Sequence, residues 1–284
     1  MSQYTGRKRT NLQEFEDWIV ERERVRFAKS LAAPPPWSKD PVMQKVYFCN
    51  IRREDDKVTK FVRETYANAD NPVPFAGQNM MLARMVNKPA SLRNLGWPWG
   101  AKFHKAKWEE CMSPMGVWGN AYIVSTNGRE SCKWEYVGGL LAAAWQRNDI
   151  TSGATTLAEA HGALMAINGL GTFMSAQIVA DLKNTVGHPL TNAEDWWTWC
   201  AHGPGSLRGL YWVNEDKPAS LKEKCTPTEF RHSMPHLLEY INEKLGCVVG
   251  KLHAQDLQNC LCEFDKYMRV KNGTGRSKRK YNGV

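Results

Sequence analysis

The chain has 284 residues, enough for one large domain or two small ones, and carries a formal charge of +9 with a pI near 9.1. Such a surface is biased toward polyanions. No apolar run is long enough to span a bilayer and the N-terminus is polar, so neither a signal peptide nor a membrane span is expected, and the eight cysteines read as free thiols of a reducing cytoplasm.

Taken in chain order, residues from Asn11 to Ala32 read as a long amphipathic helix. Phe15, Trp18, Ile19 and Val25 lie on one side, and Glu21, Arg22, Glu23 and Arg24 are offered to solvent. Pro34-Pro35-Pro36 ends it. Asp40-Pro41 reads as an N-cap followed by proline at the first helical position. A second charged helix covers Glu54 to Tyr66. From Asn71 to Gly119 the chain is rich in Met, Trp, Pro and Gly, with short helices expected at Met80 to Val86 and His104 to Cys111. Ala121 to Ser125 is the best candidate strand, with a turn at Asn127-Gly128. From Lys133 to Tyr267 the pattern is helical again. The expectation is a mainly α fold: one helical domain over residues 1–270, in two lobes with a cleft, then a basic tail over 271–284. Arg276, Lys278, Arg279 and Lys280 of that tail suit salt-dependent, sequence-independent attraction to DNA. Twelve tryptophans fit either a filled core or stacking on unpaired bases.

The most informative stretch is Ile167-Asn168-Gly169-Leu170-Gly171. Leu157, Ala160, His161, Leu164 and Ile167 recur at helical spacing before it; Phe173, Ala176, Ile178, Val179 and Leu182 do so after it. Two helices joined by a Gly-Leu-Gly turn form a helix-hairpin-helix, here spanning about 156–186, because the turn demands backbone angles that a side chain would penalise. The amides of Gly169, Leu170, Gly171 and Thr172 would open toward a DNA phosphate at the start of the second helix. An ordinary αα-hairpin has the same outline. In base-excision glycosylases built around such a hairpin, a catalytic Asp comes roughly two dozen residues later, and Asp195 lies 24 past Gly171. Asp195 is therefore the first candidate acid, expected beside the turn; as a helix N-cap it would look the same in sequence. Gly203-Pro204-Gly205-Ser206 before Arg208 is a second candidate anion clamp or, equally, a tight helix–helix turn.

Other patterns carry less. Cys260-Leu-Cys262 is spaced too tightly for tetrahedral zinc, and no set of four close cysteines suits an iron–sulfur loop, so no metal and no cofactor is expected. His232 and His236 are four apart, but Pro235 between them points to the start of a surface helix. Gly273 to Lys278 lacks the Gly-Lys-Ser/Thr of a phosphate loop, and neither a dinucleotide fingerprint nor a nucleophile elbow occurs.

The segment from Trp37 to Thr59, with Tyr47-Phe48-Cys49-Asn50-Ile51-Arg52-Arg53-Glu54-Asp55-Asp56-Lys57 at its centre, resembles a signature of phage thymine-hypermodification enzymes. These are the α-glutamyl/putrescinyl thymine pyrophosphorylase family and the helical domain of 5-hydroxymethyluracil DNA kinase. Ile167 to Leu182, His202 to Leu210 and Gln258 to Tyr267 fit as well, so the resemblance runs from about residue 15 to 280. It implies a fold related to helix-hairpin-helix DNA glycosylases and action on double-stranded phage DNA containing 5-hydroxymethyluracil, in the cytoplasm of an infected cell. In such pathways a P-loop kinase phosphorylates the hydroxymethyl group, and a transferase displaces the phosphate with an amino acid or polyamine. With no P-loop here, the stand-alone transferase, functionally coupled to a separate kinase, is the better match. The chemistry then asks for an aromatic pocket for a flipped base, with Tyr47 and Phe48 (and Trp37, Trp196 and Trp197) as candidate walls. Arg52, Arg53 and Lys57 suit the departing phosphate, although the same charges fit a solvated helix face. Asn50 suits a uracil edge, or capping of that helix. Asp195, with Asp56 and Asp181 behind it, suits proton removal from the incoming ammonium.

Overall fold

The computed structural model describes residues 10–69, 75–119, 124, 126, 128, 130–220 and 222–275. Every regular element among them is helical: α1 (Asn11–Ser30), α2 (Pro41–Lys45), α3 (Lys57–Ala67), α4 (Ala76–Val86), α5 (Pro89–Leu95) and α6 (Lys105–Met112). Beyond these come α7 (Lys133–Trp145), α8 (Leu157–Met165), α9 (Thr172–Leu182), α10 (Pro204–Glu215), α11 (Pro227–Val249) and α12 (Ala254–Lys271). The mainly α expectation holds. The strand expected over Ala121 to Ser125 and its turn fall largely outside the described residues, as do Arg276, Lys278, Arg279 and Lys280.

The helix boundaries reflect local chemistry. Thr10, Thr156 and Thr226 each cap a helix, with Gln13, Glu159 and Glu229 returning the bond in capping boxes. Asp40 accepts the amides of Val42 (2.7 Å) and Met43 (2.9 Å) to start α2, with Pro41 where its missing N–H costs nothing. The Thr226 box starts α11 at Pro227, so Pro235 lies inside that helix rather than at its beginning. His232 and His236 stand one turn apart on its exposed side.

Two compact units result: residues 1–53 with 202–284, and residues 54–201. In the first, α1 presents Phe15, Trp18, Ile19, Arg22 and Val25 as one buried stripe. Arg22 is thus an exception to the solvated face expected of it: it is 5% exposed, and its guanidinium donates to the carbonyls of Phe48 (3.0 Å) and Cys49 (3.2 Å). Phe264 packs between Phe15 and Trp18, with ring centroids 5.0 and 6.3 Å away. Helices α10 and α12 lie so close that a Cβ on Gly209 would run into the Leu261 carbonyl, and one on Gly205 would sit 2.5 Å from the Cys262 sulfur. Asp265, fully buried on α12, accepts two bonds from Arg208 (2.8 and 3.0 Å) and one from Arg269 (3.1 Å).

The second unit is built on α4, all eleven residues of which are buried. Trp97, Trp99, Trp108 and Trp145 fill the space around it, each with its indole N–H donated to a backbone carbonyl. Much of the tryptophan excess is therefore core, with Trp18 and Trp212 buried in the first unit. Arg84 on α4 is buried as well. It makes a bidentate pair with Asp181 of α9 and donates to the Thr59 hydroxyl of α3 (3.0 Å), so one guanidinium joins three helices.

Candidate functional site

In the second unit, α8 and α9 are joined by residues 166–171. Ile167 and Leu170 point into the core, whereas Asn168 and Gly171 are exposed, so the turn is pinned by two apolar side chains with its polar edge outward. Gly169 has φ +91°, where an L side chain is strained, and an added Cβ would sit 2.6 Å from Leu140. Gly171 is the N-cap of α9 and offers no side chain, so the N–H groups of 171–174 have no acceptor within the helix. Ser175 N–H to Gly171 O (3.0 Å) is the first intrahelical bond. His161 of α8 donates from Nε2 to the Thr172 carbonyl (3.1 Å), tying the two helices together at the turn. Burial holds the His161 pKa below its ordinary value. Phe173 and Met165 flank the turn as exposed apolar side chains.

Asp195 does not sit beside this turn. Its carboxylate accepts the amides of Leu157 (2.8 Å) and Ala158 (3.0 Å), at the opposite end of α8. Nine residues at ~1.5 Å each separate the two features by roughly 13 Å. The reason is simple: α9 carries the chain away from the turn, so the segment beyond α9 returns to where α8 begins. Asp181 is enclosed, with side-chain exposure of 2%, in its pair with Arg84. Asp56 is the N-cap residue of α3 and makes no side-chain cap bond, and Lys57 opens that helix, exposed. Trp196 packs against the buried Lys183, whose ammonium donates to the Trp196 carbonyl (3.0 Å) and lies 3.9 Å from its ring centroid; Trp197 is half exposed.

The run from Asn50 to Lys57 is divided between the two units. Asn50, Arg52 and Arg53 belong to the first unit, Asp56 and Lys57 to the second. The Asn50 carbonyl accepts from Asn259 (3.1 Å). Arg52 pairs with Glu23 (3.3 Å) and donates to the Val249 carbonyl at the end of α11, and the Arg53 amide donates to Asp256 (3.1 Å). Arg208 is held by Asp265, and Gly203 N-caps α10 with its amide on Ser206 (2.9 Å). Tyr47 is partly exposed and its carbonyl accepts from Lys266 (3.0 Å).

Phe48 and Trp37 do come together. They wall a cavity of about 250 Å³ in the first unit, between α1 and the 34–48 segment, with Arg22, Lys29, Ser38 and Gln44 as its polar lining. The Lys29 ammonium lies 4.8 Å from the Trp37 ring centroid, and Gln44 is held by its bond to the Ser38 carbonyl (2.8 Å). Burial and the neighbouring Arg22 charge both push the Lys29 pKa down. A second cavity shares Pro36 and Ser38 and adds Glu21 and Arg24. Arg24 holds the Glu21 carboxyl below its ordinary value, with Ser38 adding a 2.6 Å bond. Arg22 and Lys29 are not among the residues the sequence nominates for chemistry. One signal is available there: Arg22 falls in the apolar register of α1, three residues after Ile19 and three before Val25.

Among the described residues no group of three or more His, Cys, Asp or Glu is placed to hold a metal ion, and no helix is long and apolar enough to cross a membrane. All eight cysteines are free thiols; burial pushes those of Cys200 and Cys262 up to about 12. No curated protein and no solved structure matches the chain. A family model does match: that of the 5-hmdU DNA kinase helical domain aligns with residues 9–277, almost the full length, taking in both units and the turn between α8 and α9. The chain therefore belongs to the 5-hmdU DNA kinase helical-domain family.

Proposed function

We propose that this protein modifies 5-hydroxymethyluracil in DNA by transferring an amine onto the phosphorylated base. In the step envisaged, the amine nitrogen bonds to the 5-methylene carbon and the carbon–oxygen bond to phosphate breaks. Its electron pair leaves with the phosphate, and a carboxylate takes the proton lost by the ammonium. The observation that carries the reading is the family match over 9–277. The step proposed for these residues uses the phosphate as a leaving group, so the phosphate must be installed on the hydroxymethyl group beforehand.

The turn at 166–171 is the proposed strand contact, in the manner of a helix-hairpin-helix. Its exposed amides at the start of α9 suit a phosphate oxygen, and the +9 charge supplies longer-range attraction. The flipped base would leave the stack and reach away from that contact. Asp195 is the proposed proton acceptor: it is half-exposed, and one amide on each oxygen leaves further lone pairs available. Asp56 stands second, and Asp181 is set aside because Arg84 closes it off.

The test is nucleoside mass spectrometry of phosphorylated hydroxymethyluracil DNA after incubation with the protein and a panel of amino acids and polyamines. A nucleoside heavier by the added amine, with loss of the phosphate, is the expected product. Abasic sites would replace this reading with glycosylase chemistry. A second reading, a DNA-binding partner of the kinase with no chemistry of its own, draws on the structural bonds that engage both Asp195 and Asp181. It requires Asp195→Asn to support modification as well as wild type.

A further inference from the structure

We infer that the cavity between α1 and the 34–48 segment binds a compact planar anion, and that a phosphorylated pyrimidine is the member of that class it takes. The proposed function is used only to choose this ligand; the preference for a flat anion rests on the cavity itself.

The lining of the space sets the chemistry. Trp37 supplies flat apolar surface, while Phe48 is a fixed wall, 3% exposed, with the ring centroids of Trp18 and Tyr267 5.9 and 6.2 Å away and the Lys266 ammonium 4.8 Å from its own. Rigid aromatic walls favour a planar ligand over a flexible chain. Two cations, Arg22 and Lys29, line the same space, and no carboxylate is among its lining residues. A polyamine or free ammonium would therefore meet like charge, whereas a phosphate or carboxylate would meet two donors. Arg22 cannot swing away, because its bonds to the carbonyls of Phe48 and Cys49 hold it at 3.0 and 3.2 Å. Lys29 is the adjustable partner, half-buried on the last turns of α1.

Size narrows the class further. About 250 Å³ is below the usual range for drug-sized ligands and suits one ring with one charged substituent. Gln44 brings an amide to the wall, oriented through the Ser38 carbonyl, and an amide is the group that pairs with the imide edge of a uracil ring. An amino acid carries the required carboxylate, but the carboxylates nearest this lining, Glu21 and Asp40 of the adjoining cavity, are already engaged by Arg24 and Ser38 and by the α2 amides.

The experiment is calorimetric titration of the full chain with 5-phosphomethyl-2′-deoxyuridine, beside thymidine, inorganic phosphate, glutamate and putrescine. The phosphorylated nucleoside should bind at least about tenfold more tightly than each of the other four. Lys29→Glu should weaken it by about tenfold or more, Lys29→Arg should restore most of the affinity, and Trp37→Leu should lower it with the fold intact by circular dichroism. No binding by the folded wild type, equal affinity in Lys29→Glu, or preference for putrescine or glutamate would each overturn the assignment. Amine transfer on DNA without binding in this titration removes the assignment and leaves the proposed function standing; binding without transfer does the reverse.

Discussion

The acids nominated for chemistry in one unit and two cations of the other are placed differently. In residues 54–201, Asp181 ties α9 to α4 through Arg84, and Asp195 caps the start of α8 through two backbone amides while staying half-exposed. In the other unit, Arg22 and Lys29 face a cavity with aromatic walls. An acid at a conspicuous spacing can be structural, while a cation hidden in an apolar stripe can mark a binding space. What separates the cases is where the polar atoms end up, which spacing does not record.

This contrast can be broken at several points. The largest effect is expected from Asp181→Ala, which leaves the Arg84 guanidinium buried without its carboxylate and should cost about 3–5 kcal/mol in chemical denaturation. A loss below about 1 kcal/mol would show that Arg84 is not tied as described. Next is Gly169→Val. It combines a side chain at φ +91° with a clash at Leu140 and should cost about 1–3 kcal/mol. Gly171→Glu, on the exposed edge, should leave stability nearly unchanged but weaken DNA binding at low and moderate salt. Equal affinity for both proteins would remove the turn as the strand contact.

A smaller effect is expected from Asp195→Ala. Losing the acceptor for two α8 amides should cost about 1–2 kcal/mol of stability, while Asp195→Asn keeps an acceptor and should cost less. The smallest is the pH response at His161. Its folded-state pKa is held below the ordinary 6.5 by burial, so the unfolded chain binds the proton more readily. Its contribution is therefore fully present above about pH 6.5 and is lost as the pH falls below that value. His161→Gln should flatten the acid limb of the stability curve by well under the wild-type change, because His188, also lowered by burial, titrates in the same sense. An unchanged acid limb would mean that folding does not lower the proton affinity of His161.

The helices are legible where local rules set them. The helix from Asn11 through Ser30 is dictated by the spacing of Phe15, Trp18, Ile19 and Val25, and Asp40-Pro41 marks α2 correctly. The α8–turn–α9 outline comes from its two apolar series and Gly169. The start of α11 is decided by the capping box of Thr226 and Glu229, a signal that the more conspicuous Pro235 overshadows. Burial of Arg22 is hidden because its charge is more conspicuous than its register. The position of Asp195 at the far end of α8 depends on the path of the chain after α9, a long-range matter that spacing cannot carry. The division of Asn50 to Lys57 between two units is of the same kind. A continuous charged run looks like one patch until the backbone changes unit within it.

Amine-for-phosphate exchange on a DNA base is best checked by counting both sides of the exchange on one substrate. DNA carrying radiolabelled phosphomethyluracil is incubated with the protein and a second-isotope amine, and released phosphate is measured against amine retained in the DNA. One amine retained per phosphomethyl group consumed, with both signals lost in Asp195→Asn, is the predicted result. Phosphate released with no amine retained, or free base released from the strand, would contradict it.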